Sequence, residues 1–338
     1  MSPSESKGVA LITGSSQGIG RAIALRLAQD GFDIVLNDLP VQKEALEAVS
    51  NEITTLGLGR KTFIAICDVS AEEAVEKMVD DAVKALGSLD VMVANAGIAM
   101  GKSILSTSAS DWDRVFAINA RGIFLCYKYA GKQMIKQGKG GRIIGASSFT
   151  GKQALPLASA YSSSKFAVRG LTQSAAQEFA QYDITVNAYA PGIISQTGMS
   201  QSASADPGLA ATVEAFLGRV SGPLATKGTP VEIASIVSYL ASAEAHYITG
   251  QTISSHMGCH CSTHANLQLM TISLSGQKAV YNFCAMECYH CPFYVRCANP
   301  FQLQSGKGYH VNVNDDAALR FADVGTQYLR THGVPLVD

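Results

Sequence analysis

The chain has 338 residues, 47% hydrophobic and 16% charged, with a net charge of -1. That is enough apolar material for a filled core in one large domain with something beyond it. The near-neutral balance, with no long basic run, argues against nucleic acid or an acidic membrane as partner, and no apolar stretch approaches the ~20 residues a bilayer requires.

From residue 8 onward, short apolar runs alternate with stretches of helical length. The pattern predicts strands at 9–13, 32–36, 62–66, 89–94, 142–146, 184–190 and 251–254. Helices are predicted between them at 21–29, 42–56, 71–86, 112–137, 161–181 and 231–241. Runs that are apolar throughout suit strands buried on both faces, and such alternation predicts an α/β doubly wound parallel sheet of about seven strands. Six of the eight cysteines, Cys259, Cys261, Cys284, Cys288, Cys291 and Cys297, fall after residue 258, and every histidine lies at His246 or later. The composition therefore divides the chain into a domain at 1–258 and an atypical, irregular Cys/His-rich extension at 259–338. In that extension only 321–329 looks helical. The lone Cys288-x2-Cys291 pair lacks a second pair to complete a zinc site, so no metal and reduced thiols are expected. The opening residues lack the charged-then-apolar order of a secretory signal, which makes a cytoplasmic location the expectation.

The residues that carry chemistry follow the strand ends. Thr13-Gly14-Ser15-Ser16-Gln17-Gly18-Ile19-Gly20 joins the first strand to the first helix. Glycines there let backbone N–H groups at a helix N-terminus approach a pyrophosphate, though a glycine-rich stretch is also an ordinary turn. Asp38, after the second strand, suits a ribose diol and repels a 2'-phosphate. Neither Gln17 nor Leu39 offers a cation to such a phosphate, so NAD is favoured, with Arg21 keeping NADP open. The bland reading of Asp38 is a solvated turn residue before Pro40. Asp68-Val69 and Asn95-Ala96-Gly97 end the third and fourth strands, where they shape a ligand edge or merely form turns.

Asn119 is polar inside an apolar helix, as a holder of a relay water or as a satisfied core amide. Ser147 and Ser148 follow the fifth strand, and alternation lets only one of them face the next helix. On that helix Tyr161 and Lys165 stand one turn apart, where the ammonium is expected to lower the phenol pKa from ~10. By itself the pair could equally be a surface feature.

Taken together, Thr13 to Gly20, Asn95-Ala-Gly97, Asn119, Ser148, Tyr161-x-x-x-Lys165 and Pro191-Gly192 resemble the short-chain dehydrogenase/reductase family over residues 8 to about 258. The resemblance implies a Rossmann fold and an NAD-dependent oxidoreductase. Tyr161 would be the proton donor and acceptor, Lys165 its partner and ribose ligand, Ser148 the donor to the carbonyl, and Asn119 the relay. The family's glycine three residues after the serine selects Ser148, because Gly151 stands there. Cofactor contacts are implied for Gly14, Ser16, Gln17, Gly18, Ile19, Gly20, Asp38, Asp68, Val69, Asn95, Gly97, Tyr161, Lys165, Pro191, Gly192, Ile194 and Thr197. Where the family places a threonine for the nicotinamide carboxamide, Gln196 stands and Thr197 follows, as if one residue were inserted. A substrate lid is implied near 198–217, and a homo-oligomer, tetramer or dimer, unless the extension prevents it.

The stretches 161–173 and 184–192 are most similar to the diacetyl/acetoin reductases, or 2,3-butanediol dehydrogenases. The implied substrate is a small ketone or diketone. The alternatives are a 3-oxoacyl or sugar-ketone reductase and a catalytically impaired NAD-binding protein.

Overall fold

The computed structural model describes residues 5–198, 210–211 and 227–255, and the backbone of 269–274 and 277–282. Seven strands form one parallel sheet: β1 (Val9–Thr13), β2 (Asp33–Asp38), β3 (Thr62–Ile66), β4 (Val91–Ala94), β5 (Gly141–Ala146), β6 (Ile184–Pro191) and β7 (Thr252–Ser255). Their order is β3-β2-β1-β4-β5-β6-β7, a Rossmann-type arrangement. The order reverses between β1 and β4, and crevices at the carboxyl ends of strands form at such reversals.

The central strands β1, β4, β5 and β6 are almost wholly buried because both faces of the sheet are covered there, whereas the edge strands β3 and β7 are partly exposed. On one face α1 (Gly18–Asp30), α2 (Lys43–Thr55) and α7 (Pro230–Ala241) bury Ile23, Leu27, Leu46, Ile53 and Val237 against Ile12, Ile34 and Leu36. On the other, α3 (Glu72–Leu86), α5 (Ile123–Gln137) and α6 (Ser159–Phe179) bury Val75, Met78, Leu125, Met134 and Val168 against Leu11, Val35 and Met92. None of the helices among the described residues is long and apolar enough to cross a membrane.

The helix expected at 112–137 is instead three pieces. α4 (Ala109–Phe116) starts earlier, because Ser108 and Asp111 form a capping box: Ser108 Oγ accepts from the Asp111 N–H at 3.1 Å. A π-helical segment, Ala117–Gly122, then precedes α5. It lies where Asn119 turns into the core and where Gly122 packs on Val69, leaving only 3.0 Å between an added Cβ and the valine Cγ2.

Two compact units divide the chain, Met1–Ser262 and Thr263–Asp338. The second contains an antiparallel pair of strands, β8 (Leu269–Leu274) and β9 (Gln277–Asn282), which the reading of 259–338 as irregular apart from a helix at 321–329 did not include. Its signal was in the sequence: Met270, Ile272 and Leu274 alternate with Thr271 and Ser273. The tail cysteines, His260, His264, His290, the helix at 321–329 and most of the expected lid at 198–217 lie outside the described residues. Among the described residues, no group of three or more His, Cys, Asp or Glu gathers to hold a metal.

Candidate active site

A cavity of about 850 Å³ opens at the carboxyl edge of the sheet, spanning the β1–β4 reversal. Its wall brings together all the site residues expected from sequence except Ser16 and Asn119. At one end lies the glycine-rich turn. Gly14 and Gly18 have φ of +65° and +54°, a region that side chains strain to occupy. A Cβ on Gly20 would stand 2.1 Å from the Gly14 carbonyl oxygen, so only glycine lets the turn close onto the helix. α1 starts with no side-chain cap from Gln17 and no acidic residue in its first turn, leaving its N–H groups and dipole to an anion. These features fit a pyrophosphate.

Ser16 is off the wall because it is tied to Asp38. The Asp38 Oδ2 accepts from Ser16 Oγ at 2.6 Å and Ser16 N at 3.2 Å, while Oδ1 accepts from Leu39 N at 2.9 Å. Three donors leave about one of a carboxylate's four acceptor positions for a ribose hydroxyl. Asp38 is therefore more than a solvated turn residue: it fixes the glycine-rich turn. Arg21 is engaged elsewhere, its Nη2 donating to both Glu52 oxygens at 2.5 and 2.7 Å. Asp68 makes a local turn by accepting from Ser70 N at 2.9 Å.

Asn95 stitches β4 to β1. Its Nδ2 donates to the carbonyls of Thr13 and Gly14 at 2.8 and 3.1 Å, and its Oδ1 accepts from the Tyr189 hydroxyl at 2.8 Å. Asn119 is fully buried beneath the wall. Its amide accepts from Ile98 N and donates to Ile98 O, both at 2.8 Å, and donates to Ser164 Oγ at 3.2 Å. The amide is satisfied within the protein and fixes the loop after β4. Gly97 gives room here, since an added Cβ would lie 3.1 Å from Asn119 Oδ1 and 3.4 Å from Lys165 Nζ.

At the other end Ser148 shares a side-chain hydrogen bond with Tyr161. The Thr150 N–H donates to Ser148 Oγ at 3.2 Å, which leaves the serine O–H to donate. Contrary to the alternation argument, both serines reach α6, from the extended segment just beyond β5. Ser147 Oγ donates to the Lys165 carbonyl at 3.1 Å, whereas Ser148 meets the phenol.

Lys165 Nζ lies 5.7 Å from the Tyr161 ring centroid and donates to the Ala146 carbonyl at 2.8 Å. Burial pulls its pKa down to about 8. Burial also raises the Tyr161 phenol above 10, and the Ser148 hydrogen bond pulls the other way. The expected lowering by the ammonium does not set the direction here: burial raises the phenol, and the opposing pull comes from Ser148.

Sequence reading missed Cys67, Met100, Leu155, Tyr189 and Lys227 on the wall. Apolar residues and a strand tyrosine look like core in one dimension, and nothing in the spacing marks them.

The short chain dehydrogenase family matches residues 8–208. The chain belongs to the short-chain dehydrogenase/reductase family. It is 52% identical over 252 residues to a short-chain dehydrogenase/reductase of Armillaria gallica, covering 72% of this chain and 93% of that one. An L-2,3-butanediol dehydrogenase of Corynebacterium glutamicum is 38% identical over 266 residues, covering 72% and 95%. A 3-oxoacyl-[acyl-carrier-protein] reductase of Staphylococcus aureus is 41% identical over 244 residues, covering 72% and 94%. The solved acetoin dehydrogenase YohF of Salmonella typhimurium superposes with a TM-score of 0.63 at 36% identity, covering 73% and 93%. This short-chain dehydrogenase/reductase is an NAD(P)-dependent oxidoreductase working on small carbonyl and alcohol groups.

One consequence for the dehydrogenase concerns Gly20. Gly20→Ala forces the Gly14 carbonyl to move, at a cost of about 1–3 kcal/mol. NADH affinity is expected to fall about tenfold, measured by fluorescence titration.

Proposed function

We propose that this enzyme reduces a small uncharged ketone or diketone with NADH, diacetyl and acetoin being the first substrates to try. The observation that carries the reading is the Ser148–Tyr161 hydrogen bond beside Lys165, in a cavity whose wall also includes Met100, Phe149, Leu155 and Ile193. Apolar walls with a few convergent polar groups suit a small neutral substrate. The butanediol and acetoin dehydrogenases among its relatives support the C4 choice.

A nicotinamide cofactor held by the glycine-rich turn and Asp38 would supply the hydride for the carbonyl carbon. Tyr161 gives its proton to the carbonyl oxygen, a task suited to a phenol that burial keeps protonated. Ser148 donates a hydrogen bond to the same oxygen and stabilises the charge developing there. Lys165 holds its amine near the ring and would hold a ribose hydroxyl of the cofactor. Asn119 acts as a positioning group for the relay side of the site, holding the Ile98 backbone and packing beside Lys165 through Gly97. Thr197 lines the cavity in place of the family's threonine. Gln196 before it takes a left-handed turn, φ +58°, which absorbs the extra residue. The chemistry is assigned to residues 1–258.

NADH oxidation measured with diacetyl, acetoin and unrelated ketones tests the substrate. Turnover of bulky ketones with none of any C4 diketone removes the C4 reading, and NADH binding without turnover of any carbonyl points to an impaired enzyme. NAD preference rests on Asp38 and on the engagement of Arg21 by Glu52. Replacing Asp38 by Ser and Leu39 by Arg removes the repulsion and adds a cation. The kcat/KM ratio for NADPH over NADH is expected to rise about a hundredfold in steady-state kinetics.

A further inference from the structure

Tyr189 has no part in the chemistry above, yet it is fully buried and borders the cavity. It lies on β6 opposite Ala146 of β5, and its hydroxyl reaches past that strand to Asn95 at the end of β4. A phenylalanine would fill the same core volume, so the hydroxyl needs its own account.

We propose that the Tyr189 hydroxyl is a positioning group for cofactor binding, acting through the Asn95 amide on the glycine-rich turn. The inference rests on the reading of that turn as the pyrophosphate site. Asn95 has one amide oxygen and two N–H groups to place. The N–H groups go to the carbonyls of Thr13 and Gly14, and the oxygen takes the tyrosine proton at 2.8 Å. A flipped amide would set its oxygen against two carbonyl oxygens, so the orientation is determined. The Gly14 carbonyl is the atom that lies 2.1 Å from where a Gly20 Cβ would stand. It therefore sits at the tightest point of the turn, and a shift of the Asn95 amide moves the turn with it. Burial raises the Tyr189 phenol well above its ordinary value, which keeps it an O–H donor throughout the working range. Removing the hydroxyl leaves the half-buried Asn95 oxygen without its protein partner and frees the amide to drift.

The test is Tyr189→Phe in the full chain, alone and combined with Asn95→Ser. Its readouts are NADH affinity by fluorescence titration, thermal melting without cofactor, and steady-state kinetics. Tyr189→Phe is expected to raise the Kd and KM for NADH about fivefold, with kcat at saturating NADH within about twofold and the pH profile unmoved. In the Asn95→Ser background the same change adds nothing to the Kd, because its route to the turn is already cut. An NADH Kd equal to wild type, with only the melting temperature lowered, makes the bond purely structural and overturns the proposal. An undiminished effect in the Asn95→Ser background overturns the route through Asn95. Failure of the wild type to bind NADH or NADPH overturns the pyrophosphate reading and this proposal with it, an outcome distinct from the other two.

Discussion

Tyr161→Phe is expected to lower kcat/KM for ketone reduction by about 10²–10⁴-fold while leaving NADH affinity within about threefold. The substitution removes one oxygen from a ring that is already packed, so shape is kept and the acid is lost. Burial raises the phenol, which favours the protonated donor form at neutral pH. Reduction should therefore run at a flat rate from pH 6 to 8, whereas alcohol oxidation, which needs the phenolate, should accelerate about tenfold per pH unit. Single-turnover NADH oxidation with the wild type and the variant, beside fluorescence titration of NADH, separates chemistry from binding. A variant that retains a tenth or more of the wild-type rate would assign the proton to another donor. Ser148 loses its phenol partner in the variant but keeps the Thr150 N–H, so its own position should hold.

How much of this could be read from one dimension depends on the range of the forces involved. β1, β4, β5 and β6 were legible because a strand covered on both faces must be largely apolar, and that is a local property. The glycine-rich turn was legible because backbone crowding admits only glycine at Gly20. The break at Ala117–Gly122 was not, because it coincides with partners distant in sequence: the Ile98 backbone for Asn119 and Val69 for Gly122. The two serines were misread for a related reason. Strand alternation was applied to Ser147 and Ser148 after the strand had ended at Ala146. Tyr189 was invisible as more than core, since its hydroxyl acts across two strands on a residue 94 positions away. The direction of the Tyr161 pKa was missed because spacing shows the lysine but not the burial.

Replacing Lys165 by Met should remove a pH dependence from the fold that the wild type carries. Burial lowers the Lys165 pKa from 10.5 to about 8. Below pH 8 the amine is charged in both the folded and the unfolded chain, and the fold bears the whole cost of the buried charge. Between about 8 and 10.5 the unfolded chain binds more protons, so stability rises with pH, by roughly 3 kcal/mol over the window. Other groups pull the opposite way. Burial raises Cys67 to about 11 and holds Cys126, Tyr127 and Tyr189 high, so each contributes stability that is lost as pH climbs past its unfolded value. These groups are common to both proteins and cancel in the difference. Urea melts at pH 7.5, 8.5, 9.5 and 10.5 should show the wild type gaining on Lys165→Met across the series. A difference that stays flat would mean that the ammonium is solvated as in water and titrates near 10.5. The expected gain has a functional counterpart. The desolvation that makes Lys165 costly below pH 8 also strengthens the field of its charge at the phenol ring 5.7 Å away, so the residue that weakens the fold at neutral pH is also the cation held beside the Tyr161 ring while it stays protonated.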